Sequence, residues 1–137
     1  MYLVDTNVWL ERLLDQVRSE EAGHFLDHLP SERLFVTDFA FHSIGVVLSR
    51  LNHTDVLLRF VQDAFVDGAV GLIHLDPGDT ERLVYTMEQF NLDFDDAYQY
   101  AYQYVAAEKH NLTLVTFDSD FDHTERGRKT PAQVLRG

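Results

Sequence analysis

The chain has 137 residues, of which 11 are Lys or Arg and 23 are Asp or Glu, so its formal net charge is −12. Hydrophobic residues make up 45 % of it, enough for one core of ordinary size, and the lack of cysteine excludes disulfides, thiolate nucleophiles and cysteine-ligated zinc. The acidic balance argues against a protein that binds nucleic acid through its overall charge. It does not exclude a protein whose carboxylates hold cations and that contacts nucleic acid only at those cations.

Predicted strands and helices alternate along the chain. Tyr2-Leu3-Val4 is a short apolar strand, and Asp5-Thr6-Asn7 supplies the N-cap of a first helix. The further predicted elements are a helix over 20–29, a strand over 34–36, a helix capped by Thr37 or Asp38 that runs to about 51, a helix over 55–65, a strand over 70–75, helices over 77–90 and 93–108, a strand over 112–117 and an edge strand over 131–135.

This alternation predicts one α/β domain, residues 1–137, around a parallel sheet. The N-terminus lacks a basic start and a sustained apolar segment, so we expect no signal peptide. No uncharged apolar stretch is long enough to span a membrane. We therefore expect a cytoplasmic protein.

Aspartates follow two of the predicted strands. Asp5 comes directly after the first strand, and Asp118 comes directly after the strand over 112–117. Ligands bind beyond the carboxyl ends of the strands in an open parallel sheet, so these carboxylates face one cleft if their strands are neighbours. The other acids of this part of the chain are Asp93, Asp95 and Asp96 at the start of a helix, and Asp120 and Asp122 after Asp118.

Several carboxylates at one end of a sheet repel each other, and a divalent cation removes that cost. Such an ion polarises a phosphoryl oxygen and supplies a hydroxide, so the pattern favours metal-assisted phosphodiester hydrolysis. Each acid also has an ordinary structural explanation. Asp5 and Asp93 suit helix N-caps, Asp96 suits the first turn of a helix, and the residues after Asp118 suit a solvated loop.

Three segments resemble a known family. Val4-Asp5-Thr6-Asn7-Val8, Asp96-Ala97, and Leu114 to Phe121 are similar in order and spacing to the PIN domain, in particular to VapC-type toxins of toxin–antitoxin pairs. The resemblance covers nearly the whole chain. It implies a three-layer α/β/α sandwich with a mainly parallel sheet, a ribonuclease dependent on Mg²⁺ or Mn²⁺, an RNA substrate, a cognate antitoxin and a homodimer.

The resemblance also assigns roles to individual residues. Asp5, Asp96 and Asp118 match the catalytic, metal-binding acids, and Asp120 matches an auxiliary metal-binding acid. The residues that match the polar groups orienting these carboxylates are Thr6, Asn7 and Thr116.

The chain departs from the family at one acid. Family members carry a Glu in the helix after the second strand, and Ser43 falls at about that place here. Ser43 can bond a metal-bound water but brings no charge, so we expect weaker metal binding; Asp38 and His42 are the nearby substitutes. This departure favours the alternative of a PIN scaffold that acts by binding protein or RNA. A phosphatase with Asp5 as nucleophile is disfavoured, because Asn7 stands where a second Asp is usual.

The C-terminal segment is basic. Arg126, Arg128, Lys129 and Arg136 place four of the 11 cations in the final 12 residues. Arg126, Arg128 and Lys129 are candidates for RNA binding if the segment lies near the acidic cleft, and they form a solvated tail otherwise.

One short repeat is literal: residues 97–100 and 101–104 both read Ala-Tyr-Gln-Tyr. Its four tyrosines point in different directions around a helix, so we expect them to pack with partial exposure rather than to form a base-stacking platform. If one copy is an addition, the helix overshoots and Asp118 fails to return to Asp5 in the same chain. We then expect a changed loop or an exchange of the C-terminal part between protomers.

Overall fold

A parallel sheet forms the centre of the protein in the computed structural model, which describes residues 1–90 and 94–137, with side chains from 97 in the second range. Its strands are β1 (Tyr2–Val4), β2 (Leu34–Thr37), β3 (Gly71–Ile73) and β4 (Thr113–Val115), and they lie in the order β3-β2-β1-β4. The helices are α1 (Thr6–Leu13), α2 (Ser19–His28), α3 (Asp38–Arg50), α4 (Thr54–Val61), α5 (Thr80–Phe90), α6 (Phe94–Lys109) and α7 (Pro131–Arg136). Short 3₁₀ turns cover Ser31–Arg33, Pro77–Asp79 and Ser119–His123, and a π-helical turn, Gln62–Val66, continues α4.

The register of β1 sets the geometry of the site. Leu3 of β1 pairs with Phe35 of β2 on one side and with Leu114 of β4 on the other, and both pairings are parallel. The carboxyl ends of β1, β2 and β4 therefore meet at the same edge of the sheet, as predicted.

Helices cover both faces of this sheet. Val4 packs with Val8, Trp9 and Phe25 from α1 and α2 in one apolar cluster, whereas the adjacent Leu3 packs into a second cluster with α6. The change of face between consecutive strand residues is the two-residue period of a β-strand buried on both sides. The predicted three-layer α/β/α sandwich is confirmed.

The predicted edge strand over 131–135 is wrong, because this segment is helix α7. The Thr130 side chain accepts a bond from the backbone N–H of Gln133, and the Gln133 side-chain oxygen accepts one from the backbone N–H of Thr130. Pro131 occupies the first turn. This capping box is visible in the sequence and outweighs the apolar spacing. Lys129, just before it, forms a parallel bridge with Val115 of β4.

The other predicted elements are present with shifts at their ends, and β3 and β4 are shorter than expected. The expected helix start at Asp93 lies outside the described residues. None of the helices within the described ranges is long and apolar enough to cross a membrane.

The tyrosines of the repeat spread around α6, as the helical period requires. Tyr102 stacks on Phe39 with ring centroids 5.3 Å apart, whereas Tyr100 stacks on Phe121 at 3.9 Å. Tyr100, Tyr102 and Tyr104 are buried, so they are more completely packed than expected.

Candidate active site

Asp5 lies at the junction of β1 and α1. It is the N-cap of α1, where its Oδ1 accepts a bond from the backbone N–H of Thr6 at 2.8 Å. The side chain is nevertheless buried, with the residue only 7 % exposed. The capping role that the sequence left open is therefore real, and it places a carboxylate inside the carboxyl edge of the sheet.

Thr116 connects Asp5 to the end of β4. Its hydroxyl donates to Asp5 Oδ2 at 2.9 Å and accepts bonds from Asn7 Nδ2 at 2.9 Å and from the backbone N–H of Asp118 at 3.1 Å. Asn7 Oδ1 in turn accepts the backbone N–H of Phe117 at 3.1 Å. These bonds fix the turn after β4 relative to Asp5, which explains why polar residues follow both strands.

Gln103 of α6 is the site residue that sequence reasoning missed. It is 1 % exposed, and its Nε2 donates to Asp5 Oδ1 at 2.8 Å while its Oε1 accepts from the Thr37 hydroxyl at 3.1 Å. Thr37 also caps α3 by accepting the N–H of Ala40. Gln103 therefore links the ends of β1 and β2 through one buried amide. The sequence held no signal for this, because the repeat offers Gln99 and Gln103 equally.

A cavity of about 370 Å³ opens beside Asp5. Asp118 and Asp120 line it from the turn after β4, and Asp118 Oδ1 caps that turn by accepting the N–H of Asp120 at 2.9 Å. The other described lining residues are Thr6, Asn7, Leu10, Gln99, Tyr100, Gln103 and Phe121. Two strand-terminal aspartates thus share one cleft within one chain, as predicted from their positions after neighbouring strands.

The cleft disfavours the charge on Asp5. Burial raises the pKa of the Asp5 carboxyl, the bonds from Gln103, Thr116 and Thr6 oppose that rise, and the charge of Asp118 adds to it. A cation between the two carboxylates would remove both the desolvation cost and the repulsion.

The donor set fits a hard divalent ion. Mg²⁺ keeps several waters and needs only one or two carboxylates, which Asp5 and Asp118 provide. The buried Thr6 hydroxyl at the cavity wall has no hydrogen-bond partner among the described residues, so one polar group of the cavity awaits a further ligand or water. Within those same residues no three acids or histidines are grouped closely enough to hold an ion unaided.

Most of the chain matches the model of a known protein family. The family model described as PIN domain matches residues 2–127. The chain belongs to the PIN domain family. No curated protein sequence matches it.

Three solved structures share the PIN fold with this chain at a TM-score of 0.70. A chain of a toxin–antitoxin complex from Klebsiella pneumoniae is 21 % identical to this chain. The alignment covers 96 % of this chain and 98 % of the chain in that complex. VapC20 from Mycobacterium tuberculosis, a sarcin-ricin loop cleaving toxin, is 16 % identical to this chain. The alignment covers 89 % of this chain and 93 % of the VapC20 chain. A chain of FitAcB from Neisseria gonorrhoeae is 20 % identical to this chain, and the alignment covers 96 % of this chain and 99 % of that one. The resemblance read from the motifs is confirmed.

Ser43, at the place expected for the PIN glutamate, is half-buried on α3. It is not among the described residues that line the cavity of Asp5, and the neighbouring His42 is exposed. Asp38 is likewise not among the described residues that line that cavity, and its Oδ1 accepts bonds from the Tyr102 hydroxyl and the Phe39 N–H. The neutral Gln103, which Thr37 also holds, bonds Asp5 from α6.

Both copies of the repeat on α6 contribute to the cleft. Gln103 of the second copy bonds Asp5, and Gln99 and Tyr100 of the first copy line the cavity beside it. Asp96 precedes the first copy as Tyr100 precedes the second, and its backbone lies one helical turn before Tyr100. The side chain of Asp96 lies outside the described residues. The pairing of β4 with β1 places Asp118 beside the cavity of Asp5 in the same chain.

The basic segment lies directly behind the cleft. Arg128 forms an ion pair with Asp122, at 3.0 Å from Nε to Oδ1, and donates to the backbone carbonyl of Thr116 at 3.1 Å. Arg126 donates to the carbonyl of Leu112 at 3.2 Å. Lys129 is exposed. The segment therefore extends the edge of the sheet, and Arg126 and Arg128 tie it to the residues just before and just after β4.

Proposed function

We propose that this PIN domain, residues 1–137, is a divalent-metal-dependent endoribonuclease that hydrolyses phosphodiester bonds of RNA and is the toxin of a toxin–antitoxin pair. The observation that carries the proposal is the cleft in which Asp5 and Asp118 meet across neighbouring parallel strands. A buried carboxylate held by three hydrogen bonds and repelled by a second acid suits cation binding better than a purely structural role.

Asp5, Asp96, Asp118 and Asp120 are the proposed ligands of Mg²⁺ or Mn²⁺, with Asp5, Asp96 and Asp118 as the catalytic set. When bound, the ion supplies a polarised phosphoryl oxygen and a nucleophilic hydroxide. The other residues orient the carboxylates. Thr116, Asn7 and Gln103 hold Asp5 in one rotamer through the bonds described above, and Thr6 faces the same cavity.

Arg126, Arg128 and Lys129 are the proposed RNA-binding residues. Arg128 touches the Thr116 carbonyl, so its positive charge lies behind the turn that carries Asp118. Phosphates flanking the cleft would meet this charge, while the ion neutralises the phosphate that reacts.

Cleavage of defined single-stranded RNAs with Mg²⁺ or Mn²⁺, by the wild type and by Asp5→Asn, tests the proposal. Loss of a direct ligand should lower the rate beyond the ~10–100-fold typical of residues that only support a ligand. Asp55→Asn, on the exposed face of α4, is the matched control and should cleave normally. Retained cleavage in Asp5→Asn would point to a contaminating nuclease.

The ends of the products sharpen this assay. Hydrolysis by a water molecule would leave a 5′-phosphate and a 3′-hydroxyl, whereas attack by the ribose 2′-hydroxyl would leave a cyclic phosphate. A single 2′-deoxy substitution at the cut should therefore leave the reaction intact. Cyclic phosphate ends would contradict the proposed chemistry.

The proposed partners are a cognate antitoxin and a second copy of the chain, and the proposed compartment is the cytoplasm. Two of the similar structures are described as a toxin–antitoxin complex and as FitAcB, which supports an antitoxin partner. Exchange through the 97–104 helix would explain a dimer but is not required to complete the cleft. The oligomeric state, from the mass in solution of the wild type and of a variant lacking 101–104, tests exchange, and equal oligomeric states would count against it.

The second candidate function is a PIN scaffold that acts by binding and does not cleave. Two observations favour it: Ser43 brings no charge and is not among the described residues lining the cavity of Asp5, and the α6 side chain that bonds Asp5 is the neutral Gln103. Calorimetry decides between the two. No heat of binding with millimolar Mg²⁺ or Mn²⁺ would favour the scaffold.

A further inference from the structure

A second and larger cavity adjoins the acidic cleft. It encloses about 610 Å³ between α5, α6 and the 3₁₀ turn after β4. Tyr100 and Asp120 line both cavities, so the two spaces lie on either side of these residues. The remaining described lining residues are Arg82, Tyr85, Thr86, Gln89, Phe90, Tyr104, His123, Thr124 and Glu125.

The floor of this cavity is aromatic. Phe90 packs edge-on against Tyr100 and Tyr104, with ring centroids 4.6 and 5.9 Å apart, and Phe121 covers one face of Tyr100. These rings are committed to one another and form a rigid wall. Such packing agrees with the low exposure of Tyr100 and Tyr104.

Tyr85 is the ring that remains accessible. It is 52 % exposed at the cavity, and the guanidinium of Arg82, one turn earlier on α5, lies 5.0 Å from its ring centroid. Glu108 holds Arg82 in this place through two bonds of 2.8 Å. An exposed aromatic ring backed by a fixed cation is a stacking platform for a flat, electron-rich group.

The charges of the cavity favour a neutral group over an anion. Asp120 and Glu125 line it, and Arg82 is already neutralised by Glu108. A phosphate would therefore be repelled, whereas the polar edges of Gln89 and His123 suit the donors and acceptors of a nucleobase. In a nucleic acid, a base is separated from its phosphate by one sugar, which matches two cavities that share a wall.

We propose that this cavity binds the base of a nucleotide that flanks the phosphodiester held in the acidic cleft, with the base stacked on Tyr85. The proposal rests on the proposed ribonuclease function and adds a substrate subsite to it. It also implies a preference for single-stranded RNA, because a base must leave its stack to enter the cavity.

RNA binding by Tyr85→Ala tests this subsite, measured by fluorescence anisotropy in the Asp5→Asn background so that strands stay intact. We expect about tenfold weaker binding of a short single-stranded RNA, within the range that alanine substitution at stacking platforms causes. Tyr85→Phe should bind normally, since stacking needs only the ring. Val84→Ala, exposed on the same helix and not lining the cavity, is the matched control.

An abasic RNA makes the test specific. Replacing one base at a time should identify a position whose loss weakens binding by the Asp5→Asn protein as much as Tyr85→Ala does in that background, and the two losses should not add. Losses that add at every position, or unchanged binding by Tyr85→Ala, would overturn the subsite. Weaker binding of a protein partner with unchanged RNA binding would overturn it as well.

This measurement is separate from catalysis. If the wild type never cleaves RNA but the abasic and Tyr85 effects coincide, the proposed nuclease fails and the base subsite stands. If cleavage depends on Asp5 while Tyr85 has no effect on RNA binding, only the subsite fails.

Discussion

Deleting one copy of the Ala-Tyr-Gln-Tyr repeat should bring Asp96, a proposed metal ligand, one helical turn closer along α6 to Gln103, which bonds Asp5. Removal of 97–100 and removal of 101–104 give the same sequence, in which Asp96 directly precedes Ala101. Four residues correspond to ~6 Å and ~400° along a helix, so the facing side changes by only ~40°. Residues from Ala101 onward, including Gln103 against Asp5, keep their places. Asp96 then takes the position that Tyr100 holds in the cavity wall.

The deletion should lower the stability of the fold and strengthen metal binding, and the two free-energy changes are of similar size. Tyr100 is buried and stacked 3.9 Å from Phe121, and losing a buried aromatic side chain costs roughly 3–5 kcal/mol. A carboxylate gained about 4 Å from an ion contributes about 4 kcal/mol per pair of unit charges at an effective dielectric constant of 20, before dehydration is subtracted. We therefore expect a less stable protein that binds Mn²⁺ at least about tenfold more tightly, equivalent to ~1.4 kcal/mol.

Thermal unfolding across a Mn²⁺ titration measures both effects. Free ion at about 100 times its Kd stabilises the folded state by ~2.7 kcal/mol, which raises Tm by roughly 8 °C for a domain of this size. The matched control is Asp96→Asn in the same deletion, which shares the backbone change but lacks the charge. A Mn²⁺ response no larger than that of the wild type, or equal in the control, would refute the reasoning.

Three further outcomes are expected. The hydrogen bond from Arg82 lowers the pKa of Glu108 below its usual 4.5. The stability that this pair contributes is therefore present above pH 4.5 and is lost as the pH falls through the lower pKa of the folded state. Glu108→Gln should reduce that loss of unfolding free energy, measured by urea unfolding from pH 6 to 3. Thr130→Ala should cost ~1 kcal/mol of unfolding free energy because it removes the cap of α7, and Thr130→Ser should restore it. Replacing Arg128 and Lys129 with Gln should weaken RNA binding and reduce its slope against log salt by about one for each phosphate that the protein no longer neutralises; an unchanged slope would remove both from the RNA-binding surface.

The layers of the fold were predictable because strands and helices alternate with clear caps. Asp5 and Thr37 each follow a short apolar strand and bond the first turn of the next helix, so local sequence fixes both junctions. The meeting of Asp5 with Asp118 was predictable for a related reason, since parallel strands end at the same edge. Helix α7 differs from the predicted strand although Thr130 and Gln133 mark its start, because apolar spacing alone does not separate a short strand from a short helix.

Gln103 was unpredictable from local sequence. Its partners, Asp5 and Thr37, lie 98 and 66 residues away, and only the docking of α6 on the sheet selects it over the identical Gln99. Long-range packing, rather than motif spacing, decides which side chains reach the acids.

The cleavage rate of one defined RNA against Mn²⁺ concentration, under single-turnover conditions, tests the central claim most directly. The account predicts a rate that saturates with the ion in the wild type, vanishes with a chelator, and falls by more than ~100-fold in both Asp5→Asn and Asp118→Asn. Cleavage that continues at the wild-type rate in both variants, or without any divalent ion, would contradict it.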